Sequence, residues 1–191
     1  RMALVPRVLR PLAGGHTRCT LLGRALAHPI LLAPVAYQRL AHPDGEIASA
    51  YAAAALGAGM VLSMQASSPL EDVAAAMHGD PGAGPLWLQL YLQHDRALVR
   101  ELARRAETAG FEALVVTVDA PTSGVRDRER RAGFSLPPEV QAVNLARMAP
   151  PSQVQAAPGH SALFDGLLRH APTWDDIAWL QAQTRLPVLL K

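Results

Sequence analysis

The chain has 191 residues, half of them hydrophobic and 18% of them charged, and its formal net charge is +2. This balance excludes an intrinsically disordered protein, and the length is sufficient for one sizeable hydrophobic core. Because basic and acidic residues are interspersed along the chain, the small positive charge does not indicate a nucleic-acid partner.

The amino-terminal part of the chain predicts an entry segment, a strand and a helix. Residues 1–28 show no sustained hydrophobic period, so we expect them to pack outside the core. Residues 30–33 form an apolar run ended by a proline, which is typical of a short buried strand. The alanine-rich residues 47–56 follow a Pro-Asp-Gly-Glu sequence and predict a helix.

Two further strands and a capped helix follow. Residues 60–64 and 86–91 are short and apolar, and each run predicts a buried strand. Between them, Ser68 and Glu71 have the spacing of a capping box, with a proline at the first helical position. We therefore expect a helix over residues 69–77.

The next unit is a helix, a strand and a long connection. Asp95 and Gly110 predict the beginning and the end of the helix, whose apolar residues recur at helical spacing. Residues 113–118 then predict a fourth buried strand. Residues 120–172 contain scattered prolines and no clear element, and a connection of this length usually has a function or is mobile.

The alternation resumes near the end of the chain. Thr173 and Asp176 form a capping box before a predicted helix over residues 177–184, and residues 186–191 begin a fifth strand. Repeated strand and helix units predict an α/β protein with a parallel sheet and helices outside it. Because a chain that stops on a buried strand leaves an unpaired edge, we expect these residues to be part of a larger domain.

Polar residues lie near the carboxyl ends of four of these strands. If the strands close into a barrel, these ends converge on one face, where active sites of such barrels are found. Each residue also has a structural interpretation, as a hydrogen-bonded core group, a strand filler or a snorkelling terminus. The residues are Ser63, Gln89 and Tyr91, Thr117 and Asp119, and Lys191.

The sequence lacks the common nucleotide-binding and metal-binding motifs. The sequence contains no Walker loop, no G-x-G-x-x-G after a strand and no H-E-x-x-H, so we expect no metal site. Cys19 is the single cysteine, which precludes an intrachain disulfide, and no apolar run has the length of a leader or a membrane span. We therefore expect a cytoplasmic protein.

The alternating charges of residues 126–131 predict a solvated face, or one arginine that turns inward to an anion.

Seven short sequences resemble a known family in their order. The FMN-dependent α-hydroxy acid oxidases and dehydrogenases, which include glycolate oxidase, lactate oxidase and mandelate dehydrogenase, have similar motifs, and residues 34–40 look most like the hydroxymandelate oxidase branch. The resemblance implies a (β/α)8 TIM barrel, of which residues 1–191 would supply strands 1 to 5, with residues 120–172 as a mobile active-site loop region. The motifs lie at residues 32–36, 41–46, 89–91, 109–111, 117–121, 134–137 and 186–191.

The resemblance also implies an FMN site. Three residues would lay their backbone against the flavin, three would hydrogen-bond the isoalloxazine, and one cation beside N1 and O2 would stabilise the reduced flavin as a catalytic group. In that order they are Pro34, Val35 and Ala36, then Ser63, Gln89 and Thr117, and finally Lys191.

The implied reaction is oxidation of an (S)-2-hydroxy acid to the 2-oxo acid, with electrons passing through FMN to oxygen or another acceptor. Tyr91 would bind the substrate and act in catalysis, Arg126 would pair with its carboxylate, and Tyr37 would lie beside it. The family's base is a histidine in a Ser-Asn-His-Gly-Gly-Arg motif that this sequence lacks, as it lacks the later phosphate site. The resemblance therefore implies that the rest of the barrel comes from the same or another chain, in a homotetramer.

Two other interpretations remain open. The chain could be a truncated half-barrel without catalytic activity, able at most to bind flavin or a partner chain. It could also be another FMN barrel enzyme, such as a type 2 isopentenyl diphosphate isomerase.

Overall fold

The structure is a computed structural model that describes residues 3, 5–120, 124, 126–149, 161, 168 and 171–191. Within these residues, strands and helices alternate after a short amino-terminal hairpin, and two 3-10 helices cover Gln38–Leu40 and Val143–Leu145. The strands are β1 (Cys19–Leu21), β2 (Arg24–Leu26), β3 (Leu31–Leu32), β4 (Gly59–Ser63), β5 (Leu86–Leu90), β6 (Ala113–Val116) and β7 (Val188–Leu190). The helices are α1 (Gly45–Ala55), α2 (Leu70–His78), α3 (Arg96–Ala109), α4 (Asp127–Arg131) and α5 (Trp174–Gln181).

The core of the fold is a parallel sheet of five strands in the order β3-β4-β5-β6-β7. Each strand lies beside the strand that follows it in the chain, as in a barrel of alternating strands and helices. Within the described residues, β3 and β7 each pair on one side only, so both edges of the sheet are open. The predicted α/β class and partial barrel are confirmed.

The two faces of the sheet bury different sets of side chains. Leu62, Leu88 and Leu114 are fully buried on the outer face, in one cluster with residues of α1, α2, α3 and α5. Val61 and Trp87 lie on the inner face, in a smaller cluster that also contains residues of β6. This alternation follows from the twofold period of a strand and defines which residues face the interior of the barrel.

The segment predicted to be irregular forms a hairpin at the amino ends of the strands. β1 and β2 pair antiparallel through a two-residue turn, in which Leu22 and Gly23 both have positive φ, as such a turn requires. Arg24 donates to the carboxylate of Glu112 and to the carbonyl of Ala83, just before β6 and β5. Leu21 packs against the inner cluster, so the hairpin lies across this end of the sheet.

The predicted caps of α3 and α5 are confirmed. The carboxylate of Asp95 accepts from the backbone N–H of Leu98 at the start of α3, and Gly110 ends that helix with a φ of 87°. At the start of α5, the carboxylate of Asp176 accepts from the backbone N–H of Thr173 in the expected capping box.

The predicted cap of α2 is wrong. The helix begins at Leu70, and the hydroxyl of Ser68 donates to the carboxylate of Glu46 instead of capping. The backbone N–H of Leu70 donates to Oδ1 of Asn144 at 3.0 Å, and Glu71 pairs with Arg105. A side chain 74 positions away in the chain thus provides the cap, which a local pattern does not predict.

Part of the long connection packs against the helices. The N–H of Val143 donates to the carbonyl of Ala66, and the N–H of Ala149 donates to the carboxylate of Asp95. The short helix α4 has no buried residue, as the alternating charges of residues 126–131 predict. The rest of residues 120–172 lies largely outside the described residues, and the mobility of this region stays a prediction.

Candidate active site at the carboxyl ends of the strands

Three buried polar side chains form a layer at the carboxyl ends of β4, β5 and β6. Ser63 and Gln89 are partners across neighbouring strands, and Nε2 of Gln89 donates to Oγ1 of Thr117 at 3.0 Å. All three side chains are less than a tenth exposed. Each lies two residues beyond an inner-face residue, so the structure brings these predicted site residues together on the inner side of the sheet.

Lys191 extends this layer beyond β7. Its backbone N–H donates to the carbonyl of Val116, and its carbonyl accepts from the N–H of Val118, so the parallel pairing continues to this residue. Lys191 lies two positions after Leu189, which packs against the inner cluster. The twofold period therefore directs the side chain of Lys191 toward the inner side of the sheet, which is the side that carries the polar layer.

A cavity of about 540 Å³ opens beside the ends of β5, β6 and β7. Three predicted residues line it: Tyr91, Thr117 and Arg126. Trp174 and Ile177, in the first turns of α5, form part of the opposite wall. The cavity combines polar groups and apolar walls, as sites for small organic ligands do.

Arg126 lies at the edge of this cavity with its side chain 75% exposed. Its Nη1 donates to Oε1 of Glu129, a residue of α4, at 3.0 Å. Ion pairs between exposed groups contribute little to stability, so the guanidinium can exchange Glu129 for the carboxylate of a ligand at small cost.

Residues 34–37 run along the carboxyl end of β3. Pro34 and Ala36 are half-buried, while Val35 is 54% exposed. Tyr37 has a φ of 54°, which is uncommon for a residue other than glycine, and its N–H donates to the carbonyl of Gln65 at 3.2 Å. Gln65 lines the cavity, whereas none of residues 34–37 is among the described residues of its wall.

The sequence interpretation missed Glu46, which is fully buried. Burial by itself would raise the pKa of Glu46, but hydrogen bonds from the backbone of Ser67, Gln38 and Glu46 itself and from the Ser67 hydroxyl lower this pKa below its ordinary value. The carboxylate is therefore ionised at neutral pH. The signal that could have found it is a single carboxylate at the start of an otherwise small and apolar helix.

The described residues contain neither a metal-binding cluster nor a membrane-spanning helix. In the part of the chain that the structure describes, no group of three or more His, Cys, Asp or Glu side chains could hold a metal ion. In the same part, no helix is long and apolar enough to cross a membrane.

Comparison with known proteins gives matches along the whole chain. The sequence model of a family described as FMN-dependent dehydrogenase matches residues 1–191. An L-lactate oxidase of Alicycliphilus denitrificans is 50% identical over 190 residues, which are 99% of this chain and 50% of that protein. A glycolate oxidase of Spinacia oleracea is 38% identical over 196 residues, covering 100% of this chain and 51% of that protein. The chain thus spans about half the length of the curated relatives it matches.

Solved structures give the same result. A mandelate oxidase mutant with (S)-mandelic acid superposes with a TM-score of 0.79 at 38% identity, covering 98% of this chain and 48% of that one. Another mandelate oxidase mutant, with the C4a-OH-FMN adduct, superposes with a TM-score of 0.76 at 37% identity, covering 97% and 48%.

Proposed function

The chain belongs to the FMN-dependent dehydrogenase family, and we propose that its strand ends bind the isoalloxazine ring of FMN in an enzyme that oxidises a 2-hydroxy acid. The observation that carries this proposal is the buried layer of Ser63, Gln89 and Thr117 beside the cavity. A set of hydrogen-bonding side chains at the mouth of a barrel, next to a cavity with apolar walls, is typical of a site for a polar organic ligand.

The residues present fit the ring of the family's cofactor. The edge of an isoalloxazine alternates carbonyl oxygens and ring nitrogens, which an amide and two hydroxyls on neighbouring strands can match. The hydroxyl of Ser63 accepts from the N–H of Gln65 at 3.1 Å, which leaves its own proton for a ring acceptor. Gln89 uses one N–H for Thr117 and keeps its remaining groups for the ligand.

When bound, FMN supplies a two-electron acceptor for the substrate carbon. Lys191 places a cation beside the polar layer, where it stabilises negative charge that develops on the ring side of the site. A charged group stabilises a reaction best when it is already in place and need not rearrange. The backbone hydrogen bonds between Lys191 and the end of β6 hold the backbone of this residue in place.

The cavity binds the substrate on the side of Tyr91 and Arg126. The guanidinium of Arg126 pairs with the carboxylate, and the phenol of Tyr91 hydrogen-bonds the substrate oxygens. Oxidation to the 2-oxo acid removes two electrons and two protons from the hydroxyl and its carbon, so a base must accept a proton. We assign this base, and the FMN phosphate site, to the portion of the relatives that this chain does not cover.

The open edges of β3 and β7 support the proposal that further strands complete the barrel. A closed barrel leaves no edge strand, so we assign these edges to the strands of the remaining barrel, from the same or another chain. The homotetramer and the mobile loop remain proposals that rest on the resemblance, and the cytoplasmic location remains a proposal that rests on the single cysteine.

The substrate class is narrowed by the named relatives. Two matched proteins with identities of 50% and 48% are L-lactate oxidases, whereas the mandelate oxidase structures are 37% to 39% identical. We therefore propose a small (S)-2-hydroxy acid such as L-lactate as the first substrate to test. The higher identity to the lactate oxidases favours lactate over the aromatic acids that the hydroxymandelate-like motif of residues 34–40 suggests.

The test uses the full-length protein and its visible spectrum. We expect flavin absorbance that L-lactate bleaches without oxygen, with glycolate and (S)-mandelate as alternative substrates. A colourless protein would favour the non-catalytic half-barrel, and a flavoprotein that none of the three acids reduces would contradict the proposed reaction.

Lys191 is tested by replacing its charge. We expect Lys191→Met to slow flavin reduction about 100-fold or more, the usual cost of removing one group that stabilises developing charge. Arg185→Met removes a cation before β7, away from the polar layer, and is the matched control. Reduction of Lys191→Met at the rate of this control would refute the assigned role.

A further inference from the structure

We propose that Glu46 is a positioning residue that holds two loops of the site in one arrangement: residues 37–39 after β3 and residues 65–68 after β4. This inference rests on the proposed function, because the site it positions is the one assigned to the flavin and the substrate. It adds a group that lies outside the cavity and contacts no reacting atom.

The carboxylate of Glu46 accepts hydrogen bonds from both loops. Its Oε1 accepts from the backbone N–H of Gln38 at 3.0 Å and from the backbone N–H of Ser67 at 2.9 Å. Its Oε2 accepts from the hydroxyls of Ser67 at 2.8 Å and Ser68 at 3.0 Å. One side chain therefore joins two loops that follow neighbouring strands.

A second connection reinforces the first. The backbone N–H of Arg39 donates to the hydroxyl of Ser67 at 3.1 Å, so Ser67 links the carboxylate to both loops. Gln38 also accepts from the hydroxyl of Ser49 at 2.6 Å, which ties the first loop to α1. Few alternative positions of residues 37–39 satisfy all of these bonds at once.

The charge of Glu46 is stabilised without a cation. No lysine, arginine or histidine among the described residues forms an ion pair with it. The carboxylate belongs to the first turn of α1, and the serines that bind it immediately precede α2. The positive ends of two helix dipoles and four donor groups thus replace a counterion.

The loops that Glu46 joins lead directly to the site. Tyr37 donates its N–H to the carbonyl of Gln65, and Gln65 lines the cavity and donates its own N–H to Ser63. A shift of either loop therefore moves a cavity wall and the end of the polar layer together. Buried networks of this kind rigidify a site when every member has a partner.

The experiment compares Glu46→Gln and Ser67→Ala with Glu112→Gln in the full-length protein. Glutamine keeps an oxygen for the two backbone donors but removes the charge and presents an amide to the serine hydroxyls. Ser67→Ala removes the shared hydroxyl and keeps the carboxylate. The control, Glu112→Gln, alters a partly buried carboxylate at the opposite ends of the strands.

Amide hydrogen exchange at residues 37–39 and 67, measured without FMN, is the first measurement. We expect both test variants to exchange about tenfold faster there than the wild type, since weakened buried bonds open more often. The second measurement is FMN binding and the flavin reduction potential, where we expect an affinity loss of about tenfold and a shifted potential. Glu112→Gln should change each quantity by less than about twofold.

Unchanged exchange at Gln38 and Ser67 would overturn the inference. So would faster exchange with wild-type FMN affinity and potential, because Glu46 would then stabilise the loops without positioning the site. A wild-type protein that binds FMN and oxidises none of the three acids would refute the proposed reaction, while exchange and FMN affinity would still decide the role of Glu46.

Discussion

Asn144 offers a sharp test of how the long connection is attached to the fold. Its Oδ1 accepts from the N–H of Leu70 at 3.0 Å, and its Nδ2 donates to the carbonyl of Ser68 at 3.0 Å. The residue is 3% exposed, so Asn144→Ala leaves a buried donor and a buried acceptor without partners. At about 1–3 kcal/mol for each such group, with partial relaxation, we expect a loss of about 2–4 kcal/mol.

Two further variants, Asn144→Asp and Gln141→Ala, test whether the loss of stability comes from the hydrogen bonds of Asn144 or from the loss of any polar side chain in this segment. Asn144→Asp keeps an oxygen for Leu70 and adds a negative charge at the start of α2 and beside Arg105, but it loses the donor to the carbonyl of Ser68. We therefore expect a cost between those of the wild type and Asn144→Ala, about 1–2 kcal/mol. Gln141→Ala, an exposed residue in the same segment, should cost less than about 0.5 kcal/mol.

The assay is urea unfolding of the full-length protein, followed by circular dichroism at a fixed FMN concentration. A cost below about 0.5 kcal/mol for Asn144→Ala, or one equal to that of Gln141→Ala, would refute the argument. The same result would show that the segment containing Asn144 does not anchor on α2 in solution.

Two further predictions concern packing and pH. A Cβ at Gly84 would lie 2.5 Å from backbone atoms of Ala58 and Gly59, so Gly84→Ala should destabilise by about 1–3 kcal/mol in the same urea assay, and a neutral result would contradict this close approach. Hydrogen bonds from the backbone of Leu98 and Ala149 hold the pKa of Asp95 below its ordinary value. Its stabilisation is therefore complete above the unfolded pKa of about 3.9 and is lost as pH falls through the folded pKa. We expect Asp95→Asn to flatten the acid limb of a pH titration followed by circular dichroism, and an unchanged limb would contradict this.

The sequence predicted those features of the fold that depend on local chemistry. The four predicted strands after the first begin within two residues of the observed ones, because short apolar runs bounded by turn residues are typical of buried strands. Asp95 and Gly110 bound α3 as expected, since both act on the backbone within four residues of themselves. The first strand is shorter than predicted, because only Leu31–Leu32 pairs with β4.

Features that depend on distant partners were not predictable in this way. Ser68 has the right spacing for a cap, yet its hydroxyl binds Glu46 and the cap comes from Asn144. The hairpin at the start of the chain was missed because each of its strands has only three residues, too few to establish a period.

The candidate site was predictable in part for the same reason. The period of a strand predicts Gln89 and Tyr91 on one side. Gln89 lies in the polar layer, whereas Tyr91 follows the end of β5, lines the cavity and also packs against the cluster on the outer face. Which arginine of residues 126–131 turns toward the cavity is not determined by a sign-alternating run, and the resemblance alone selected Arg126. Glu46 was missed because its partners come from two loops that only the folded sheet brings together.

The open edges of β3 and β7 have a consequence for synthesis on the ribosome. If these residues precede the remainder of a protein as long as the matched relatives, they leave the ribosome first, and their two strand edges stay unpaired until the remainder is made. At 5–20 residues per second, a further stretch of equal length takes roughly 10–40 s. During that interval the edges of β3 and β7 are open to other nascent chains, so we expect chaperone contacts to concentrate on these two edges.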